Sequence, residues 1–127
     1  MKISKLILWS AVADIASIVI FVTIGRRNHD EGQVASGIVR VAAPFLLAAV
    51  AGWIATQAWK KPIDARVGVI VWIVTVSLGM VLRHFVFDDG TATAFIIVAT
   101  VFLCTFLNGW RALARKRTIA TGNKSPL

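Results

Sequence analysis

The chain has 127 residues, of which 57% are hydrophobic and 16% charged, and its mean hydropathy is +0.77. A soluble domain is roughly 45 to 50% apolar, so the surplus here has to face lipid rather than water. The formal charge of +8 would suit nucleic acid only if its cations shared one folded face; they stand at the ends of apolar runs instead, which excludes nucleic acid as a partner.

The first apolar run, residues 6–24, follows Lys2 and Lys5 and begins like a secretion signal, with Ala11-Val12-Ala13 imitating a cleavage site. It continues past Asp14, well beyond the ~7 to 15 residues of a signal core, and is expected to be a span. Three more runs follow, residues 38–58, 67–87 and 92–109, each near the ~20 residues that cross a hydrocarbon core of ~30 Å. Their Val and Ile content would favour strands in water. In lipid, however, each segment must satisfy its own backbone groups, which selects helix. The fold class expected is all-α: one integral membrane four-helix bundle over residues 1–111. A basic tail, 112–127, is expected to be partly disordered because it turns charged and then rich in Gly, Ser and Pro. Asp88-Asp89-Gly90 supplies turn chemistry between the last two spans, making them antiparallel neighbours. Cys104, the single cysteine, lies inside an apolar run and can form no internal disulfide.

An even number of spans puts both termini on one side. That side would hold Lys2, Lys5, Lys60, Lys61, Arg66, Arg111, Arg115, Lys116, Arg117 and Lys124, against Arg26, Arg27, Arg40 and Arg83 on the other. This bias places the termini in the cytoplasm of a multi-pass plasma-membrane protein, with Trp9, Trp59 and Trp110 near the same boundary as an aromatic belt. Lys60, Lys61, Arg111, Arg115, Lys116 and Arg117 would form a basic rim at anionic lipid headgroups.

Polar and small residues recur at helical spacing. Ser10, Asp14 and Ser17 mark span 1; Pro44, Ala48, Gly52 and Thr56 mark span 2; Gly68, Trp72, Thr75, Gly79 and Arg83 mark span 3; Thr93, Thr100, Cys104, Asn108 and Arg111 mark span 4. These stripes predict close helix packing around a mildly polar seam, with hydroxyls bonded back to their own helices.

Asp14 carries the most information, because a charge that deep in a span costs ~2.5 kcal/mol or more and calls for a partner or a task. Trp53, Trp72, Thr75 and Thr105 are candidate donors to it. Two readings are open, a proton or cation site and a buried structural acid. A second cluster gathers toward the other end: Arg26, Arg27, His29, Asp30 and Glu31, then Arg40, Arg83, His84, Asp88 and Asp89. Arginines on the side where orientation statistics deplete them point to ion pairs within the protein or to an anionic ligand such as a lipid phosphate. Arg83 could reach inward to Asp14 or outward to Asp88. His29-Asp30-Glu31 does not have the spacing of a metal site, and no nucleophile elbow, phosphate loop or haem-attachment motif occurs, so neither metal, cofactor nor enzyme activity is expected.

Gly25-Arg26-Arg27-Asn28-His29-Asp30-Glu31, Ala43-Pro44-Phe45 and Gly109-Trp110-Arg111 together carry a resemblance. The chain resembles a family of small four-helix membrane proteins of unknown function, frequent in actinobacteria and haloarchaea, over nearly its whole length. The resemblance implies four spans and a plasma-membrane location and no activity. The acid in span 1 is also similar in placement to that of small multidrug transporters, which exchange protons for cationic drugs, although Asp stands where they have Glu and their loops lack the Arg-rich segment. The leading expectation is a small transporter or permeation-related protein, forming a homo-oligomer, with Asp14, Arg26, Arg27, His29, Asp30, Arg40, Arg83, Trp53 and Trp72 along its pathway. The rival is a non-catalytic scaffold or lipid-binding subunit in which the same residues are internal staples.

Overall fold

The computed structural model describes residues 5–26, 34–86 and 93–120. Four helices, α1 (Lys5–Arg26), α2 (Val34–Thr56), α3 (Ala65–Phe85) and α4 (Thr93–Ala120), account for nearly all of them, and all four are long and apolar enough to cross a membrane. The expected integral membrane four-helix bundle is therefore what the chain forms. The Arg-rich loop with Arg27, His29, Asp30 and Glu31, and the Asp88-Asp89-Gly90 turn, lie outside the described residues.

Pairs of touching residues fix the topology. Asp14 meets Trp53 and Phe21 meets Phe45; Gly52 meets Val71 and Gly79 meets Phe45; Trp72 meets Thr100 and Arg83 meets Phe95. In each case the residue number falls on one helix as it rises on the other, so consecutive helices are antiparallel. Phe21–Phe102 and Asp14–Arg111 close the ring between α4 and α1. The diagonal pairs, α1 with α3 and α2 with α4, make no backbone approach. The start of α1, the end of α4 and the α2–α3 connection thus share one end of an up-and-down bundle.

Packing rather than water drives such helices together in lipid, which rewards small residues at the seams. Gly52 of the expected α2 row and Gly79 of the α3 row both lie at the α2–α3 seam, whereas Gly68, Trp72 and Arg83 of the α3 row turn toward α4. A Cβ on Gly52 would lie 3.3 Å from the Val71 Cα, and one on Gly79 would lie 2.5 Å from Phe45 Cδ1, so Gly79 is the gap into which the Phe45 ring fits. Phe45, Ile18, Val71, Leu103 and Leu107 are fully buried, and Phe21, Phe45, Phe95 and Phe102 form an aromatic cluster toward the end away from the termini. Hydroxyls largely bond back to their own helices: Ser17 to Ala13, Thr56 to Gly52, Thr100 to Ile96 and Thr105 to Val101, at 2.7–2.9 Å. Outward-facing Ile15, Val50, Ile54, Val69, Ile73 and Val101 present the apolar coat that lipid requires.

Every helix bound differs from the sequence expectation, by one to four residues except at the end of α4, and α2 begins at Val34 rather than at 38. α3 ends at Phe85, and α4 runs 28 residues to Ala120 rather than stopping at Gly109. Residues 110–117 read Trp-Arg-Ala-Leu-Ala-Arg-Lys-Arg, mostly strong helix formers, so the helix continues after hydropathy falls. Residues 112–120, the first part of the basic tail, therefore continue α4.

α2 ends in a Schellman motif. Gln57 adopts the left-handed conformation (φ 52°), its N–H donates to the Ile54 carbonyl at 3.2 Å, and the Ala58 N–H donates to the Trp53 carbonyl at 3.0 Å. The chain then folds inward, burying Ala58, Pro62 and Ile63.

Candidate functional site

The buried end of this connection meets the most polar part of the interior. Asp14 is 2% exposed and Arg111 is fully buried, although one lies on the first helix and the other on the last, 97 residues apart. Arg111 donates Nη1–H to Asp14 Oδ1 and Nη2–H to Oδ2, both at 2.8 Å, the parallel fork that makes arginine a specific partner for a carboxylate. Two indoles complete the shell. Trp53 Nε1 donates to Oδ2 at 2.7 Å and Trp110 Nε1 to Oδ1 at 2.8 Å, so each carboxylate oxygen accepts two hydrogen bonds.

Arg111 is held with equal care. Its Nε–H donates to the Pro62 carbonyl at 2.8 Å, and Nη1–H also donates to the Leu107 carbonyl at 2.9 Å, one turn back on α4. The Trp110 ring lies 4.5 Å from the guanidinium carbon, adding a cation–π contact. One turn further along α4, Arg115 donates to the Ile63 carbonyl at 2.6 Å. Two arginines of α4 therefore fasten the α2–α3 connection, and Gly68 makes the space: a Cβ there would stand 2.9 Å from Arg111 Cδ and 2.5 Å from Asn108 Oδ1.

The expectations fare unequally. Of the proposed donors to Asp14, Trp53 is one. Trp72 instead donates to the Thr100 carbonyl at 2.9 Å, Thr105 bonds back to Val101, and the Thr75 hydroxyl, like that of Ser10, is buried without a hydrogen-bond partner among the described residues. Arg83 is not the partner of Asp14. It lies 15 residues from Gly68, or ~22 Å along α3, with its guanidinium 4.6 Å from the centre of the Phe95 ring. Arg40 is exposed on α2, and Arg26 forms the last residue of α1. Arg111 does not belong to a basic rim, Arg115 is engaged by the connection, and the Trp110 indole points into the site instead of anchoring a belt. Asp14 was expected deep in span 1, and it is nine residues from the start of α1. Trp53, which bonds to it, and Gly68, which lies against Arg111, are nevertheless within a turn of the ends of α2 and α3, which places the site toward the end of the bundle where α1 starts and α4 ends.

Chemically the arrangement consists of a carboxylate with four donors around it and a guanidinium that itself makes four hydrogen bonds. It has no nucleophile and no base facing a vacancy. Among the described residues no three of His, Cys, Asp and Glu gather as metal ligands would.

No curated protein and no solved structure matches the chain. A family model does, over residues 11–114, a stretch that contains Asp14, Trp53, Trp110 and Arg111. The chain belongs to that family, DUF3054, described as a protein of unknown function.

Proposed function

We propose that this protein is a non-catalytic membrane scaffold or subunit, in the plasma membrane with its termini in the cytoplasm, and that the Asp14–Arg111 pair is its permanent internal staple. The observation that carries this reading is the saturation of Asp14. Both oxygens accept two hydrogen bonds, one of each pair from an arginine, inside a site closed by Pro62 and two indoles. An exchange site needs a carboxylate that can take up a proton or an incoming cation. Here either would have to displace the guanidinium, leaving it buried and uncompensated.

A staple has its own physical rationale. In lipid an unpaired charge on either helix costs ~2.5 to 3.5 kcal/mol at the centre of a span, so the pair specifies which helices adjoin and in which register. It joins α1 and α4 to the α2–α3 connection, which is what a small bundle needs in order to present one fixed surface to a partner. The cytoplasmic assignment rests on the cation bias, which survives the removal of Arg111 from the rim.

The test is flux in sealed proteoliposomes under a pH gradient, with and without a lipophilic cation. Wild-type vesicles should leak protons no faster than protein-free vesicles. A flux that depends on the wild-type protein and disappears in Asp14→Asn, while circular dichroism retains the helices, would overturn the scaffold reading in favour of transport.

A further inference from the structure

A groove of about 440 Å³ opens on the outside of the α2–α3 pair, at the same end of the bundle as the ion pair but facing outward. Lys60 and Lys61, from the connection, and Arg66, from the first turn of α3, line it with exposed side chains, joined by Gln57 and the half-buried Asp64. Among the described residues, none of the three cations makes a side-chain hydrogen bond or ion pair. Above them the wall becomes apolar through Val67 and Ile70 and runs into the exposed Ile54, Val69 and Ile73 on the lipid-facing sides of α2 and α3.

We propose that this groove binds the headgroup of an anionic glycerophospholipid, with the phosphate on Lys60, Lys61 and Arg66 and the acyl chains along Ile70 and the outer faces of α2 and α3. Charge decides the class of ligand: three cations against one carboxylate leave a net surplus that suits a phosphate and repels a cationic headgroup. Position decides the source. The groove lies where two spans end, so its floor is at headgroup level and its upper wall at acyl-chain level, and a soluble phosphate would leave the apolar half uncovered. The folding of Ala58, Pro62 and Ile63 into the bundle explains why the cations point outward. With the apolar part of the connection buried and its last carbonyls held by Arg111 and Arg115, Lys60 and Lys61 are left on the surface. The proposal rests on this end of the bundle meeting headgroups and does not depend on the role of Asp14.

The experiment compares binding of short-chain phosphatidylglycerol, short-chain phosphatidylcholine and glycerol phosphate to the full-length protein in neutral detergent, by native mass spectrometry or calorimetry. Phosphatidylglycerol should bind best, and the triple variant Lys60→Ala, Lys61→Ala, Arg66→Ala should weaken it roughly a hundredfold, the product of about fivefold per cation. A second variant, Lys116→Ala with Arg117→Ala, removes exposed cations outside the groove and should leave binding unchanged. All three groove positions are exposed, and the melting temperature of the triple variant should match wild type. Equal binding of the two lipids, or an unchanged triple variant, overturns the proposal. So does an equal loss in the Lys116 and Arg117 variant, which would mean diffuse surface charge. Glycerol phosphate binding as tightly as the lipid would identify a soluble phosphate as the ligand and also overturn it.

Discussion

Gly68 of α3 and Arg111 of α4 share one space: a Cβ on the glycine would come within 2.9 Å of Arg111 Cδ, so the absence of a side chain on one helix is what lets the arginine of the other reach Asp14. The staple therefore depends on a third helix that contributes no polar group to it. Gly68→Ala should destabilise the bundle by ~1 to 3 kcal/mol, the range for overpacking, because Arg111 is held at both ends and cannot step aside. Gly109→Ala is the matched control. Nothing lies within 4 Å of a Cβ at Gly109, and the change should be neutral or stabilising by up to about 1 kcal/mol through helix propensity. Reversible unfolding in mixed micelles reads both.

The two indoles on Asp14 should matter more than the third indole in the interior. Trp53→Phe and Trp110→Phe each remove a donor to a charged acceptor and should cost ~1.5 to 3 kcal/mol, whereas Trp72→Phe removes a bond to the neutral Thr100 carbonyl and should cost ~0.5 to 1.5 kcal/mol. The same unfolding assay ranks them. An equal cost at all three positions would mean that ring volume, not hydrogen bonding to Asp14, sets the effect.

Gln57 holds a left-handed backbone at φ 52°, a conformation that costs a residue with a Cβ roughly 1 to 2 kcal/mol. Gln57→Gly should raise the melting temperature, by a gain of about 0.5 to 1 kcal/mol once the greater freedom of the unfolded glycine is allowed for. Gln57→Val should lower it, since branching at Cβ aggravates the strain.

The four spans were legible because lipid imposes a simple rule, ~20 apolar residues bounded by charge, that neither loop detail nor propensity disturbs. Asp14 was legible for the same reason. Its partner was harder to see, because Arg111 directly follows Gly109-Trp110 and precedes Arg115, Lys116 and Arg117, so hydropathy groups it with the tail. The signal that identifies it is periodicity. Ala99, Leu103, Leu107 and Arg111 step by four, and all are fully buried, so Arg111 lies on the inward row of α4. The stripe Thr93, Thr100, Cys104, Asn108 and Arg111 also ends on it, and counting the same residue in a basic rim is what obscures its pairing with Asp14. The placement of Pro62 could not be read in the same way, since an inward-folded connection depends on what the neighbouring helices leave open, and no local pattern encodes it.

The most direct test of the staple is a double-mutant cycle on Asp14 and Arg111, using Asp14→Asn, Arg111→Met and the pair together, with unfolding free energy measured in mixed micelles. Each single substitution strands a buried partner and should cost ~3 to 5 kcal/mol. The double variant strands nothing charged and should fall short of the sum by ~2 to 3 kcal/mol, the upper part of the range for residues in contact. Additive costs, agreeing within about 0.5 kcal/mol as they do for independent sites, would contradict a pair that holds α1, α4 and the α2–α3 connection together.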